Sequence, residues 1–341
     1  MDVKKYQKKI QLFTIVTLLL TQVSCFSDRK QPGQGVTVRP AYGVLEELFQ
    51  TEIINIGLEK LGYDVIPGAE TDNDIIHQAI AADYLDYTPT YWYPQGNLQL
   101  DEEKVVRVGV LSDRAIQGYL IDKRSAEEFG ITKLEQLKDP EIAKIFDTDG
   151  DGKANLIGCN PGWACQDAID HHIEVYDLRN TVEHDKGNYN TLINETIKRS
   201  EQKKPILYFT WVPYWVGGAL VPGKNVDWLE VPFLSLPPKQ QKSLDKASIN
   251  SKVTTIVDGK NLGYPVNQIQ ILVNKKFADQ NPSARRFFEL VKIPAKDISA
   301  QNYLMKKGKN TPERIRRQAE QWISDNQEQF DSWIEQARKV N

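Results

Sequence analysis

The sequence predicts an α/β fold of two lobes with a ligand cleft between them. Three observations lead there. Strand-like and helix-like segments alternate along almost the whole chain, the pattern of β-α-β units. At 341 residues the chain exceeds what one small core serves, so two domains of roughly 100 to 150 residues are expected. Two β-forming stretches, near residues 109–120 and 263–273, stand where crossings between two lobes would fall. Residues 35–112 together with 263–341 then make lobe 1, and 113–262 make lobe 2. With 40% apolar and 26% charged residues the composition is that of a globular protein, and a net charge of −3 argues against nucleic acid as a partner.

The first 25 residues differ in kind. MDVKKYQKK is a basic start, IQLFTIVTLLL an apolar stretch of signal-peptide length and TQVSC a small-residue exit, so a secretory signal is expected over 1–25. The apolar stretch is too short for a stable membrane span. Cys25 stands where a bacterial lipoprotein carries its acylated cysteine, although Gln22 occupies the place a lipobox gives to Leu; acylation and plain cleavage nearby both stay open. Export puts Cys159 and Cys165 in an oxidising compartment, where they are free to pair.

GVTVRP reads as a first strand. In YGVLEELFQTEIINIGLEKLG, Leu45, Leu48, Phe49, Ile53 and Ile56 share one helical face while Ile54, Leu58 and Leu61 lie opposite. That helix is expected to be covered on both flanks and to stop at Gly62. YDVIPG then completes a β-α-β unit, which implies parallel pairing. DNDIIHQAIAA reads as a helix and DYLDYTPTYW as a strand ending in aromatics. VVRVGVL and GYLIDK read as strands, ITKLEQLKDPEIAKIF as helical, with further helices near 166–175 and 189–200. KPILYFTWVPYW is strongly β-forming and runs out at Pro213. GYPVNQIQILVNKKF supplies an apolar strand and NPSARRFFELVKI a helix. A last helix takes Thr311 as N-cap and Pro312 at its first position, with Ile315, Ala319, Trp322, Phe330, Trp333 and Ala337 on one stripe. Two parallel-rich sheets are therefore expected, with ligand bound at the carboxyl ends of strands.

Three tryptophans stand at strand or loop exits beside a proline: Trp92 in TPTYWYP, Trp163 in CNPGWAC and Trp211 in YFTWVPYW. Proline stops the strand and leaves the ring at its edge. Indole faces turned to one point would make a box for a weakly hydrated cation, above all a quaternary ammonium, while burial in a core is the ordinary use of such a ring. After Asn160-Pro161-Gly162 a helical pattern begins, so the backbone amides of Ala164 and Cys165 are candidate donors to a carboxylate at a helix start.

Asp147, Asp149, Asp151 and Gly152 match the opening of a calcium loop, but Gly158 stands where its bidentate Glu belongs, and a metal-free Asp/Gly turn is the competing reading. His171 and His172 are adjacent and expected on different helix faces, a poor metal geometry. His77 and His184 have no nearby partner pattern. No serine elbow or phosphate-cradling loop occurs. The one enzymatic reading is a nucleophilic Cys165, which pairing with Cys159 would abolish.

Nearly the whole chain after the leader resembles the periplasmic glycine betaine/proline betaine-binding proteins of osmoregulatory ABC importers. The likeness runs through QPGQGVTV, LEKLGYDV, QGYLIDK, LKDPEIAKIFDTDGDGKANLIGCNPGWACQDAI, KPILYFTWVPYW, LEVPF and YPVNQIQILVNK, and GCNPGW-C with the FDT-GDGKA run before it is specific to that family. The resemblance implies the type II periplasmic binding protein fold and a non-enzymatic, cofactor-free monomer in the periplasm that hands a betaine to a membrane permease. It further implies a ligand cage of Trp92, Trp163 and Trp211, a carboxylate held by the amides of Ala164 and Cys165, and a Cys159–Cys165 disulfide. Two departures stand out. Gly96, flanked by Gln95 and Asn97, occupies the place where the family carries a carboxylate-binding histidine, and the segment after Trp92 is shorter. Choline or another cationic osmolyte is the rival ligand, and a thiol hydrolase or a sensory domain the rival class.

Overall fold

The computed structural model describes residues 30–96, 100–247 and 253–340; the expected leader, Cys25 and Asn97 lie outside them. Two short strands, Thr37–Val38 (β1) and Ala41–Tyr42 (β2), precede a 3₁₀ turn at Leu45–Glu47 and the helix Leu48–Lys60. Leu48, Phe49, Ile53, Ile54 and Leu58 are all buried, so this helix is covered on both flanks, as its two apolar faces require. Gly62, at φ +92°, turns the chain out of it. Asp64–Val65 (β3) and Ala69–Glu70 (β4) return parallel to β1 and β2, which makes the helix a crossover. The helix Asn73–Ala81 then leads into Tyr87–Tyr93 (β5).

VVRVGVL and GYLIDK, read separately from the sequence, belong to one strand of 18 residues, Val105–Asp122 (β6). Asp113 and Arg114 look like a turn, and Arg114 does take φ +56°, but the strand bulges there and continues. Gly109 is required for another reason: a Cβ would fall 2.2 Å from the carbonyl oxygen of Phe288.

Ala154–Ile157 (β7) and Val182–Asp185 (β8) flank the helix Ala164–Val175, and the helix Tyr189–Glu201 feeds Leu207–Val212 (β9). Val226–Trp228 (β10), the hairpin Thr254–Val257 (β11) with Lys260–Pro265 (β12), and Asn267–Asn274 (β13) complete the strands. A seven-stranded sheet runs β5-β13-β6-β9-β7-β8, with β10 also on β6. The sheets are mixed, not parallel-rich. β1–β3, β2–β4, β7–β8 and β7–β9 are parallel, whereas β5–β13, β13–β6, β6–β9 and β6–β10 are antiparallel. The reason is that β6 and β13 pass through the middle of the molecule in opposite senses, and antiparallel partners need no helical crossover.

β6 also joins the cores. Val108, Leu111 and Ala115 pack in a cluster drawn otherwise from residues 38–87 and 269–337, while Tyr119 and Ile121 pack in one drawn from residues up to 264. The C-terminal stripe is divided between two helices, Pro312–Asp325 and Gln327–Arg338, not carried on one. Thr311 caps the first as expected, and the run breaks at Asn326, whose backbone at φ −120° leaves the helical region while its N–H and Nδ2 both donate to the carbonyl of Trp322. A helix at Ala295–Lys306, absent from the sequence reading, packs against the first cluster through Ile298 and Met305.

His171 and His172 do not diverge; both reach Ser235, His171 at its hydroxyl and His172 at its carbonyl, each at 2.7 Å. A carbonyl only accepts, so Nε2 of His172 carries the hydrogen and Nδ1 accepts from Tyr119 at 2.7 Å, which leaves the Tyr119 oxygen to accept from Tyr264 at 3.0 Å. Full burial then drives the His172 pKa down from 6.5 to about 3. Because the folded value lies below the unfolded one, this stabilisation is complete above pH 6.5 and is lost as pH falls towards 3. His172→Phe, which cannot titrate, should be less stable at neutral pH but lose about 2–3 kcal/mol less than wild type on acidification to pH 4.5. Urea midpoints across that range measure it, and parallel acid slopes would contradict it.

Candidate functional site

Each of the three exit tryptophans is positioned by a different element. Trp92 lies near the end of β5 opposite Ile269 of β13, and Trp211 near the end of β9 opposite Gln117 of β6. Trp163 is the residue before the helix Ala164–Val175. All three are only partly buried, and all three line one cleft of about 390 Å³ between the two cores. Trp163 and Trp211 stand 5.9 Å apart at 69°, close to perpendicular. Trp211 is backed by Tyr214 at 4.4 Å and Tyr189 at 4.6 Å, so its orientation is held by packing.

The CNPGWAC loop is fixed from several sides. Cys159, buried, is joined to Cys165 by a disulfide. The Asn160 carbonyl accepts from Trp163 N at 3.2 Å, while its side-chain oxygen accepts from Tyr189 N at 2.6 Å. Gly162 takes φ +87°, and its N–H donates to Oε1 of Gln166. The Trp163 side chain does not cap the helix, and the amides of Ala164 and Cys165 find no acceptor among the described residues. Both residues line the cleft, so the positive end of a twelve-residue helix opens beside the indoles. The disulfide also overturns the thiol-nucleophile reading of Cys165, which has no free thiol.

The facing wall was less visible in the sequence. Gly96 lines the cleft, but a Cβ there would fall 2.5 Å from the hydroxyl of Tyr91, so the Tyr91 ring fills the space a larger residue would need. His77, without an evident partner in sequence, lies edge-on to Tyr91 at 5.6 Å, and burial lowers its pKa to about 4. Burial raises the Glu47 carboxyl to about 8, against the lowering effect of the Gly43 N–H it accepts at 2.8 Å. Near neutral pH burial thus favours the uncharged form of both groups, while Glu46, Asp72 and Asp74 line the same cleft. Gln95 and Gln117 complete this wall.

Direct contacts also join Glu46 and Lys306 to Tyr214 and Asn194. The Tyr214 hydroxyl, which donates to Oδ1 of Asn190 at 2.8 Å, lies 3.3 Å from Oε1 of Glu46, and Nζ of Lys306 donates to Asn194 at 2.6 Å while lying 4.3 Å from the Trp215 ring centroid. The remaining sequence candidates lie elsewhere. Asp147, Asp149 and Asp151 bring carboxylate oxygens within 4.8 Å of one another. Both oxygens of Asp147 accept amides of its own loop, from Gly150 at 2.7 Å and Gly152 at 2.9 Å, and the His184 ring occupies the space beside Gly158. His184 itself pairs with Asp170 at 2.8 Å.

Residues 38–325 match the family described as the substrate binding domain of ABC-type glycine betaine transport systems. The chain belongs to this family. It is 43% identical to the glycine betaine-binding periplasmic protein OusX of Dickeya dadantii over 97% of the chain and 98% of the relative. It is also 43% identical to the glycine betaine/proline betaine-binding periplasmic protein of Salmonella typhimurium, over 90% of the chain and 91% of the relative. The crystal structure of the glycine/betaine/L-proline-binding protein ProX from Borrelia burgdorferi shares the fold, with a TM-score of 0.66 at 17% identity over 89% of the chain and 98% of that protein. The family fold is thus the two-lobe type II binding protein expected from the sequence, and members are substrate-binding proteins, not enzymes.

The loop geometry yields a stability prediction. The disulfide closes a short loop, separation 6, so replacing both Cys159 and Cys165 with Ser should cost about 2 kcal/mol. Urea unfolding with and without reductant measures this: reductant should lower the wild-type midpoint to that of the double variant and leave the variant unchanged. A wild-type midpoint insensitive to complete reduction would contradict it.

Proposed function

We propose that this protein is the extracytoplasmic solute-binding component of an ABC importer, which captures glycine betaine, proline betaine or a similar quaternary ammonium solute and presents it to a membrane permease. The observation that carries the reading is the convergence of Trp92, Trp163 and Trp211 on one cleft, in a chain of the glycine betaine-binding family. A trimethylammonium group has no N–H, so a hydrogen-bonding pocket cannot recognise it, whereas an indole face attracts it at roughly 0.5–2 kcal/mol per ring. The carboxylate end would lie against the amides of Ala164 and Cys165, at the positive pole of the helix.

Residues 35–112 with 263–341 act as lobe 1 in this reading, and 113–262 as lobe 2. Trp92 then belongs to one lobe, Trp163 and Trp211 to the other, and ligand contacts made only when the lobes meet favour the closed state. The contacts of Glu46 with Tyr214 and of Lys306 with Asn194 cross the same boundary. The protein works in the periplasm after removal of the leader over 1–25. No described helix is long and apolar enough to cross a membrane. The mass of the mature N terminus distinguishes a lipid-anchored Cys25 from a chain released by plain cleavage.

Removing one face of the box tests the assignment. Trp163→Ala should weaken glycine betaine binding by about tenfold or more, as read by titration calorimetry, with the thermal midpoint little changed because the ring is only half-buried. An unchanged affinity would contradict the cage.

A further inference from the structure

Gln95 follows β5 and is 2% exposed, yet it lines the cleft. Which end of its amide faces where is fixed by backbone groups. Asn267 accepts the Gln95 N–H on Oδ1 at 3.3 Å and donates from Nδ2 to the carbonyl of Pro265 at 3.1 Å, so its own amide has one satisfactory orientation. In that orientation Nδ2 also donates to Oε1 of Gln95 at 3.1 Å, and Nε2 of Gln117 donates to the same oxygen at 2.7 Å. Two donors on Oε1 set the Gln95 amide unambiguously. Its Nε2, with two hydrogens to give, is buried and has no acceptor among the described residues.

Such a donor is costly to leave unmatched, and buried amides ordinarily find a partner. The polar wall around it points the same way: Oε1 of Gln50 and the hydroxyl of Thr90, which also line the cleft, are buried and unpartnered too. Asn267 and Gln117 belong to β13 and β6, the strands that cross between the cores, so the amide is held by two hydrogen-bonded central strands. The side-chain carbonyl is committed to these strands, and the nitrogen is the end left for a ligand.

We propose that Gln95 is a specificity-determining residue that donates a hydrogen bond from Nε2 to the carboxylate of the bound solute. This rests on the betaine-binding reading above. It makes Gln95 a selector between zwitterionic betaines and cations such as choline, which share the trimethylammonium head but carry no carboxylate. A hydrogen bond to a charged group in such a site is worth about tenfold or more in affinity.

Gln95→Glu keeps an oxygen for Gln117 and Asn267 and, once ionised, puts a negative charge in place of the donor, so it is read at a pH where its preference no longer changes with pH. Gln95→Met, of similar size and neutral, removes the donor without that charge. Titrations with glycine betaine and with choline, followed by tryptophan fluorescence, should show wild type binding glycine betaine. Both variants should shift preference from glycine betaine towards choline, by about tenfold or more in Gln95→Glu. An unchanged preference, whether both affinities fall together or neither moves, would overturn the assignment and leave Gln95 a structural link between strands. Absence of glycine betaine binding by wild type would instead overturn the functional reading itself, and this inference with it.

Discussion

In the proposed reading, a fixed positive charge with no hydrogen to donate sets the terms for this site. Such a group is less strongly hydrated than an N–H-bearing ammonium, so it enters an aromatic cleft at lower desolvation cost, but it must then be held by surfaces whose electrostatics are built in. Indole faces meet that condition without needing a counter-ion. Burial favours the neutral forms of the Glu47 carboxyl and the His77 imidazole, and Glu46, Asp72 and Asp74 line the same cleft. A full negative charge in the wall would favour any cation, and would repel the carboxylate of a zwitterion.

The scaffold gives each of these surfaces its own support. Trp92 and Trp211 come from β5 and β9, and those strands are hydrogen-bonded to β13 and β6, which are bonded to each other. Trp163 is placed by a loop with a disulfide and a left-handed glycine, at the mouth of a helix whose Ala164 and Cys165 amides find no acceptor among the described residues. The two halves of the cleft are thus tied through a pair of long antiparallel strands instead of flexible linkers. The β6–β13 register shifts twice between Asn267 and Ile271, and such bulges bend a strand and raise its local twist.

Much of this was legible in the sequence because it is written locally. Pro94, Pro161 and Pro213 mark where each indole leaves regular structure, and the Cys159–Cys165 spacing brackets one of them. Helix starts at Thr311 and near Gln166 follow from capping and periodicity. The antiparallel centre was not legible, since Asp113 and Arg114 resemble a turn and only the partner strand shows that β6 runs through them. The amide cluster was invisible for a simpler reason: Gln95 meets Gln117 at a separation of 22 residues and Asn267 at 172. Gly96 illustrates the opposite case. Its identity was noted from sequence, but the physical reason, the Tyr91 hydroxyl lying where a side chain would start, is tertiary.

The central claim is that charge, and not merely apolar shape, is what the cleft reads at the ammonium end. The most direct measurement is a calorimetric comparison of glycine betaine with 3,3-dimethylbutanoate, in which carbon replaces the quaternary nitrogen and size and carboxylate are retained. With three indole faces contributing, the uncharged head should bind about a hundredfold more weakly. Equal affinity for the two would contradict the account and make the tryptophans an ordinary hydrophobic pocket.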